Sequence, residues 1–136
     1  MAQDAAKTEK DKDKKEKKDL PLEGARKVKI NTTEGSWLSL DVSPDGSKLL
    51  FDMLGDLYLL PIGGGKAEQL TSGMSFDTQG RFSPDGKSIV FISDRDGSDN
   101  VWTMDLATKK TKQISKSKNE NFQSAEWTPD GEYIIA

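Results

Sequence analysis

Three carboxylates fall within six positions in Asp94-Arg95-Asp96-Gly97-Ser98-Asp99, followed by Asn100. Asp94, Asp96 and Asp99 form a weak candidate metal site, because oxygen ligands at alternating positions suit Ca²⁺. The run lacks the spacing of a helical calcium loop and its terminal bidentate Glu. The same residues also read as a hairpin, with Asp and Asn bonding turn amides and Gly97 supplying a positive φ. Gly63-Gly64-Gly65 resembles a phosphate cradle only superficially. A phosphate loop opens a helix and carries a Lys-Ser/Thr pair, whereas Lys66-Ala67-Glu68 leads into a strand-like stretch. Ser36, Ser43 and Ser83 have no base near them in sequence. The chain contains neither His nor Cys, which removes the usual general base, the commonest metal ligand and any thiolate chemistry. No catalytic constellation is left, and no cofactor is expected within these residues.

The 136 residues carry a net charge of −3. Seven of the 20 basic and six of the 23 acidic residues sit in the first twenty, leaving 13 and 17 for the rest. That mildly acidic body has no basic stripe, so nucleic acid is not the expected partner. No stretch approaches the roughly 20 apolar residues of a membrane-spanning helix. No signal peptide is visible, because a charged stretch stands where its apolar region would be. Residues 1–24 read as a charged disordered tail or linker, lacking apolar surface to offset the entropy of ordering.

The elements that position everything else come from an internal repeat. Ser43-Pro44-Asp45-Gly46 recurs as Ser83-Pro84-Asp85-Gly86 and as Thr128-Pro129-Asp130-Gly131, spaced by 40 and then 45 residues. Two positions before each Pro stands Val42, Phe82 or Trp127, and four before it Leu40, Gly80 or Ala125. Farther along, Gln69-Leu70-Thr71 matches Gln113-Ile114-Ser115. Pro presets φ for a type I turn, the preceding hydroxyl bonds the turn, and Gly takes the left-handed angle. Each Pro-Asp-Gly is therefore a structural hairpin turn rather than a site.

The resulting strands fall at about 37–42, 47–53, 56–61 and 67–71, then 77–82, 87–93, 99–105 and 111–115, with 122–127 and 132–136 beginning a third unit. The second strands are continuous apolar runs, which implies burial on both faces. The fourth strands are charged and alternating, as a protected edge requires. Leu70 precedes Phe82 by 12 positions and Ile30 precedes Val42 by 12, so residues 27–31 read as the outer strand of a preceding unit. Among the aromatics, Trp37 is expected to be exposed. Tyr58, Trp102 and Trp127 are expected to pack between units, since aromatic rings bury large areas there. The fold class is all-β: a partial β-propeller of two complete four-stranded antiparallel blades and the first two strands of a third. Its parts are the outer strand, blades at about 35–71 and 76–115, and a half blade at about 121–136.

On these residues the chain resembles the TolB-type, WD-like propeller repeats. Phe82–Gly86, Ile89–Phe91, Ser93-Asp94-Arg95-Asp96-Gly97 and Val101-Trp102 follow that pattern closely. Asp52–Asp56 departs from it as a shortened hairpin. Glu34–Val42, Gly55–Tyr58 and Ser93–Trp102 also look like the propeller ahead of the catalytic domain in large bacterial periplasmic amidohydrolases. That resemblance implies an exported, periplasmic parent in which this is a non-catalytic accessory propeller. It also implies a downstream hydrolase domain holding a divalent metal, zinc by the family's habit. The partners would be the remaining blades and that domain. The alternatives are a TolB-like propeller binding envelope proteins and the gating propeller of a prolyl-oligopeptidase-type serine peptidase. With the last strand uncovered, the isolated chain is expected to be poorly soluble or partly unfolded.

Overall fold

A computed structural model describes residue 26 and residues 28–136, so the expected charged tail lies outside the described residues. Among the described residues ten strands form three separate antiparallel sheets. The first holds β1 (Leu40–Val42), β2 (Lys48–Met53), β3 (Asp56–Pro61) and β4 (Glu68–Gln69) in sequence order. The second holds β5 (Asp77–Phe82), β6 (Ser88–Ser93), β7 (Asn100–Asp105) and β8 (Thr111–Gln113) in the same order. β9 (Glu126–Trp127) and β10 (Ile134–Ile135) begin a third.

The repeated turn makes the same hydrogen bonds in every copy. Gly46, Gly86 and Gly131 donate their amides to the carbonyls of Ser43, Ser83 and Thr128, each at 2.8 Å. The hydroxyls of those three residues accept the amides of Lys48, Ser88 and Tyr133 at 2.9, 3.0 and 3.0 Å. The Asp carboxylates accept the amides of Ser47, Lys87 and Glu132, each at 3.0 Å. The three glycines have φ of 70°, 68° and 73°, the left-handed region in which a Cβ is costly. Hydrogen bonds from Ser43 and Ser47 hold the Asp45 carboxyl at about 2, and Ser83 and Thr128 act likewise on Asp85 and Asp130.

Two apolar clusters lie on either side of the second sheet. Leu50, Leu57 and Leu59 of the first blade meet Phe82, Ile89, Phe91 and Met104 of the second. Val90, Ile92 and Val101, on the opposite face, meet Ala125 with Phe122, Trp127 and Ile134. β6 is therefore buried on both faces. β2 is not: Leu50 and Asp52 are buried, whereas Leu49, Phe51 and Met53 are only partly covered. A strand's second face is enclosed only where a sheet lies beyond it, and among the described residues none does here. Leu49, Phe51 and Tyr58 instead line an open hollow of about 430 Å³ with Leu38, Leu40 and Leu60.

Several strands are shorter than the sequence suggests. β1 begins at Leu40, and the fourth strands shrink to Glu68–Gln69 and Thr111–Gln113. Residues 28–31 are not a strand, and Lys27 lies outside the described residues. The physical reason is shared: a strand at a sheet's rim is defined by its neighbour, and these stretches have one partner or none. The fourth-strand register nevertheless repeats. Leu70 and Ile114 donate to the carbonyls of Leu57 and Val101, both at 2.8 Å. Thr71 Oγ1 and Ser115 Oγ accept the amides of the same two residues at 2.9 and 2.8 Å.

Candidate functional site

Asp52 and Asp77, both buried, take part in links between the two four-stranded blades. Asp52, on β2, accepts bonds from the Ser39 amide at 3.1 Å and the Ser39 hydroxyl. From the next blade it accepts the Thr78 hydroxyl at 2.7 Å and the Gln79 amide at 2.8 Å. Gln79 sits at φ 55°, within the register shift between Thr78 and Arg81. That bulge turns its amide toward the neighbouring sheet. Burial pushes the Asp52 carboxyl up, but the bonds from Ser39, Gln79 and Thr78 outweigh burial and hold it below the ordinary carboxylate range. A depressed folded pKa contributes stability above the unfolded value, near 3.9, which is lost as pH falls through the folded one. The lowered Asp45, Asp85, Asp105 and Asp130 act in the same sense. Stability is therefore expected to fall between about pH 4 and pH 2. Asp52→Asn should flatten that acid limb in urea titrations, and an unchanged limb would remove Asp52 from the account.

A second buried polar group is built on Arg95, within the second blade. Its guanidinium Nη2 meets both oxygens of Asp77 at 2.8 and 2.9 Å. It lies 5.2 Å from the Phe91 ring centroid and 5.0 Å from that of Trp102. Asp77 is wholly buried, and its amide donates to Gly55 of the first blade at 2.8 Å. Asp41 accepts the Phe82 amide at 2.7 Å, and Arg81 pairs with Glu126 at 2.9 Å. Asp41 and Arg81 hold matching positions, three before the turn Pro of their blades, though their partners Phe82 and Glu126 do not match.

Asp94, Asp96 and Asp99 are not brought together, and among the described residues no group of three acidic side chains is placed to hold a metal. Asp94 accepts the Phe76 amide at 2.7 Å. Asp96 accepts the side-chain amides of Asn100, at 3.2 Å, and Gln113. The Asp99 backbone carbonyl accepts the Phe122 amide at 3.2 Å. The three residues serve separate amide and carbonyl contacts that tie a hairpin to its surroundings, the hairpin reading of the two the sequence allows. Pro44, Asp45 and Gly86 lie together, as do Pro84, Asp85, Asp130 and Gly131. The turns thus stack blade upon blade at one end of the sheets, with Pro129 in the last of them. Gly63-Gly64-Gly65 is a turn between β3 and β4.

The opposite end differs in kind. Strand direction puts the β2–β3 turn, the β4–β5 connection and the approach to β1 together there. Trp37 is fully exposed and Leu54 is 74% exposed, with Met74 and Phe76 also open to solvent. Trp37 and Leu54 take φ of 60° and 57°, conformations unfavourable for bulky side chains. Phe76 packs against Gly55, where a Cβ would lie 2.9 Å from its ring. Trp37 is exposed as the sequence suggests, whereas Leu54, Met74 and Phe76 escape sequence reading. One signal existed: a two-residue Leu-Gly turn forces Leu54 to a positive φ.

Residues 14–136 match the family described as TolB beta propeller domain. The chain is 30% identical to dipeptidyl-peptidase 5 of Porphyromonas gingivalis, over 85% of its own length and 19% of that protein's. It is 35% identical to the Tol-Pal system protein TolB of Wolinella succinogenes, over 79% of its own length and 26% of that protein's. In structure it is similar to a putative TolB from Agrobacterium tumefaciens, with a TM-score of 0.66, 25% identity and coverage of 75% of this chain and 38% of that one. The chain thus spans about a fifth to a quarter of the length of these two curated relatives. Repeated turns, stacked four-stranded sheets and the family match agree: this chain belongs to the TolB beta-propeller domain family.

Proposed function

We propose that the chain is the non-catalytic propeller of a larger exported protein. Its loop end, bearing Trp37, Leu54, Met74 and Phe76, is where it meets another protein domain. The observation that carries this reading is the pair of bulky apolar residues held exposed in left-handed backbone. Neither contributes to a blade junction, and backbone strain of this kind concentrates at functional sites. In the first reading the partner is a hydrolase domain of the same polypeptide. The resemblance of Glu34–Val42 and Ser93–Trp102 favours a metal-dependent amidohydrolase, with zinc in that domain, and a periplasmic setting. The likeness to dipeptidyl-peptidase 5 supports the serine-peptidase alternative. In the second reading the partner is a separate envelope protein, which the 35% identity to a Tol-Pal system protein favours.

A photo-crosslinking residue at Leu54, compared with one at Asp85 on the opposite end, separates these in cells making the full protein. Crosslinking from Leu54 within the chain supports the accessory reading, and crosslinking to a second protein supports the envelope reading. Equal crosslinking from both ends, or none, would sink the proposal. The reading frame beyond residue 136 then names the hydrolase, a metal-binding His-x-His or a Gly-x-Ser-x-Gly elbow.

A further inference from the structure

The mildly acidic body conceals one run of opposite sign, against the expectation that it has no basic stripe. Residues 109–118 hold Lys109, Lys110, Lys112, Lys116 and Lys118, with no Asp or Glu among them. All five are exposed. Lys109 turns toward the first blade and pairs with Glu68 at 2.8 Å. Among the described residues the other four have no carboxylate within ion-pair distance. They fall at even positions, so Lys110 and Lys112 share one face of β8, about 7 Å apart.

Edge lysines ordinarily keep strands from pairing, but protection alone does not call for five. The matching residues 65–74 of the first blade carry only Lys66 and Glu68, whose charges cancel. The second blade also holds its run more firmly. Buried Asn100 accepts the Ser117 amide at 2.9 Å and the Ser115 hydroxyl at 2.8 Å, and donates to the Ser117 carbonyl at 3.0 Å. Asp56, at the matching position of the first blade, accepts instead from the Gln69 side chain. Asp105 donates its amide to the Lys110 carbonyl at 3.0 Å, and Ile114 donates to the Val101 carbonyl at 2.8 Å. Those bonds point even-numbered backbone groups inward, so Thr111 and Gln113 turn their amides and carbonyls out to an open edge.

We propose that this edge of the second blade is a docking surface for an acidic extended segment of a partner protein, which adds to β8 as a fifth strand. Backbone bonds to Thr111 and Gln113 hold it, and carboxylates at alternate positions meet Lys110 and Lys112 across the strands. Lys116 and Lys118 extend the attraction beyond the paired residues. The open row of backbone donors and acceptors favours a peptide over a lipid headgroup or a nucleic-acid phosphate, either of which would leave the carbonyls unpaired. A second copy of β8 is barred, because its own lysines would face like charges. The surface is the outer rim rather than the loop end, so its failure would leave the loop-end reading intact.

The probe is the heptapeptide acetyl-Glu-Thr-Glu-Thr-Glu-Thr-Glu-amide, titrated into the protein made from the full reading frame. At saturation the Thr111 and Gln113 amides should exchange at least about tenfold more slowly. Ala67 and Gln69, the outward residues of the first blade's edge, should not change. Lys110→Glu/Lys112→Glu should weaken binding at least about tenfold without altering the melt, and should accept the peptide with Lys in place of Glu. Absence of binding, equal binding by the variant, or equal slowing at both edges would overturn the proposal. So would binding to phosphatidylglycerol vesicles or a DNA duplex through the same lysines while the peptide leaves both amides exchanging freely, since the run would then serve a polyanion.

Discussion

Arg95→Leu is expected to destabilise the propeller by about 3–5 kcal/mol, the cost of leaving a buried charge without its partner. The substitution keeps apolar bulk over Phe91 and Trp102, so what it removes is chiefly the paired charge. Asp77 has no exposed surface, and its bonds to the Arg95 guanidinium at 2.8 and 2.9 Å are lost. The effect should reach beyond one blade, because the Asp77 amide is anchored on Gly55 of its neighbour. Urea unfolding of the protein from the full reading frame reads the loss. The double variant Arg95→Leu/Asp77→Leu should recover much of it, since replacing both members of a buried pair by apolar groups is often neutral. A single variant costing under about 1 kcal/mol would mean that water reaches the carboxylate, and the pair would lose its structural role.

Gly80→Leu should cost about 3 kcal/mol, the upper range for overpacking a tight core. A Cβ at Gly80 would stand 2.8 Å from Leu50 Cδ2 and 3.3 Å from Leu57 Cδ2. Both leucines are fully buried and fill the junction cluster. The corresponding residue is Ala125 in the third unit, also buried, and Leu40 in the first, where nothing presses on it. Small residues thus mark junctions in which one blade leans on the preceding one. Gly80→Leu combined with Leu50→Ala should regain part of the loss by vacating the space. Wild-type stability in the single variant would show that the sheets can slide apart at no cost.

Most of the architecture was legible because its determinants are local. A Ser-Pro-Asp-Gly turn settles its own geometry from four residues, and three copies fix the spacing of the sheets. The rims were less legible. Residues 28–31, β4 and β8 depend on what lies beside them, which the pattern within a strand does not encode. The junction chemistry was hidden for a related reason: Asp52 meets Thr78 and Gln79 across 26 and 27 residues. A lone Asp within an apolar strand is the one sequence mark of that contact. The Asp94–Asp99 run left a weak metal reading beside the hairpin one because side-chain type alone does not separate ligands that converge from acceptors that point to different amides.

Among the described residues every strand pair joins neighbours along the chain, with no crossover. Each sheet can therefore finish its own pairing while later sequence is still being translated, without waiting for distant segments. Asp52 is made before Thr78 and Gln79, Asp41 before Phe82, and Arg81 before Glu126. At the first two links the earlier unit accepts hydrogen bonds from the newer one, and at the third it donates one, so in each case a partner already made is waiting when the next unit emerges.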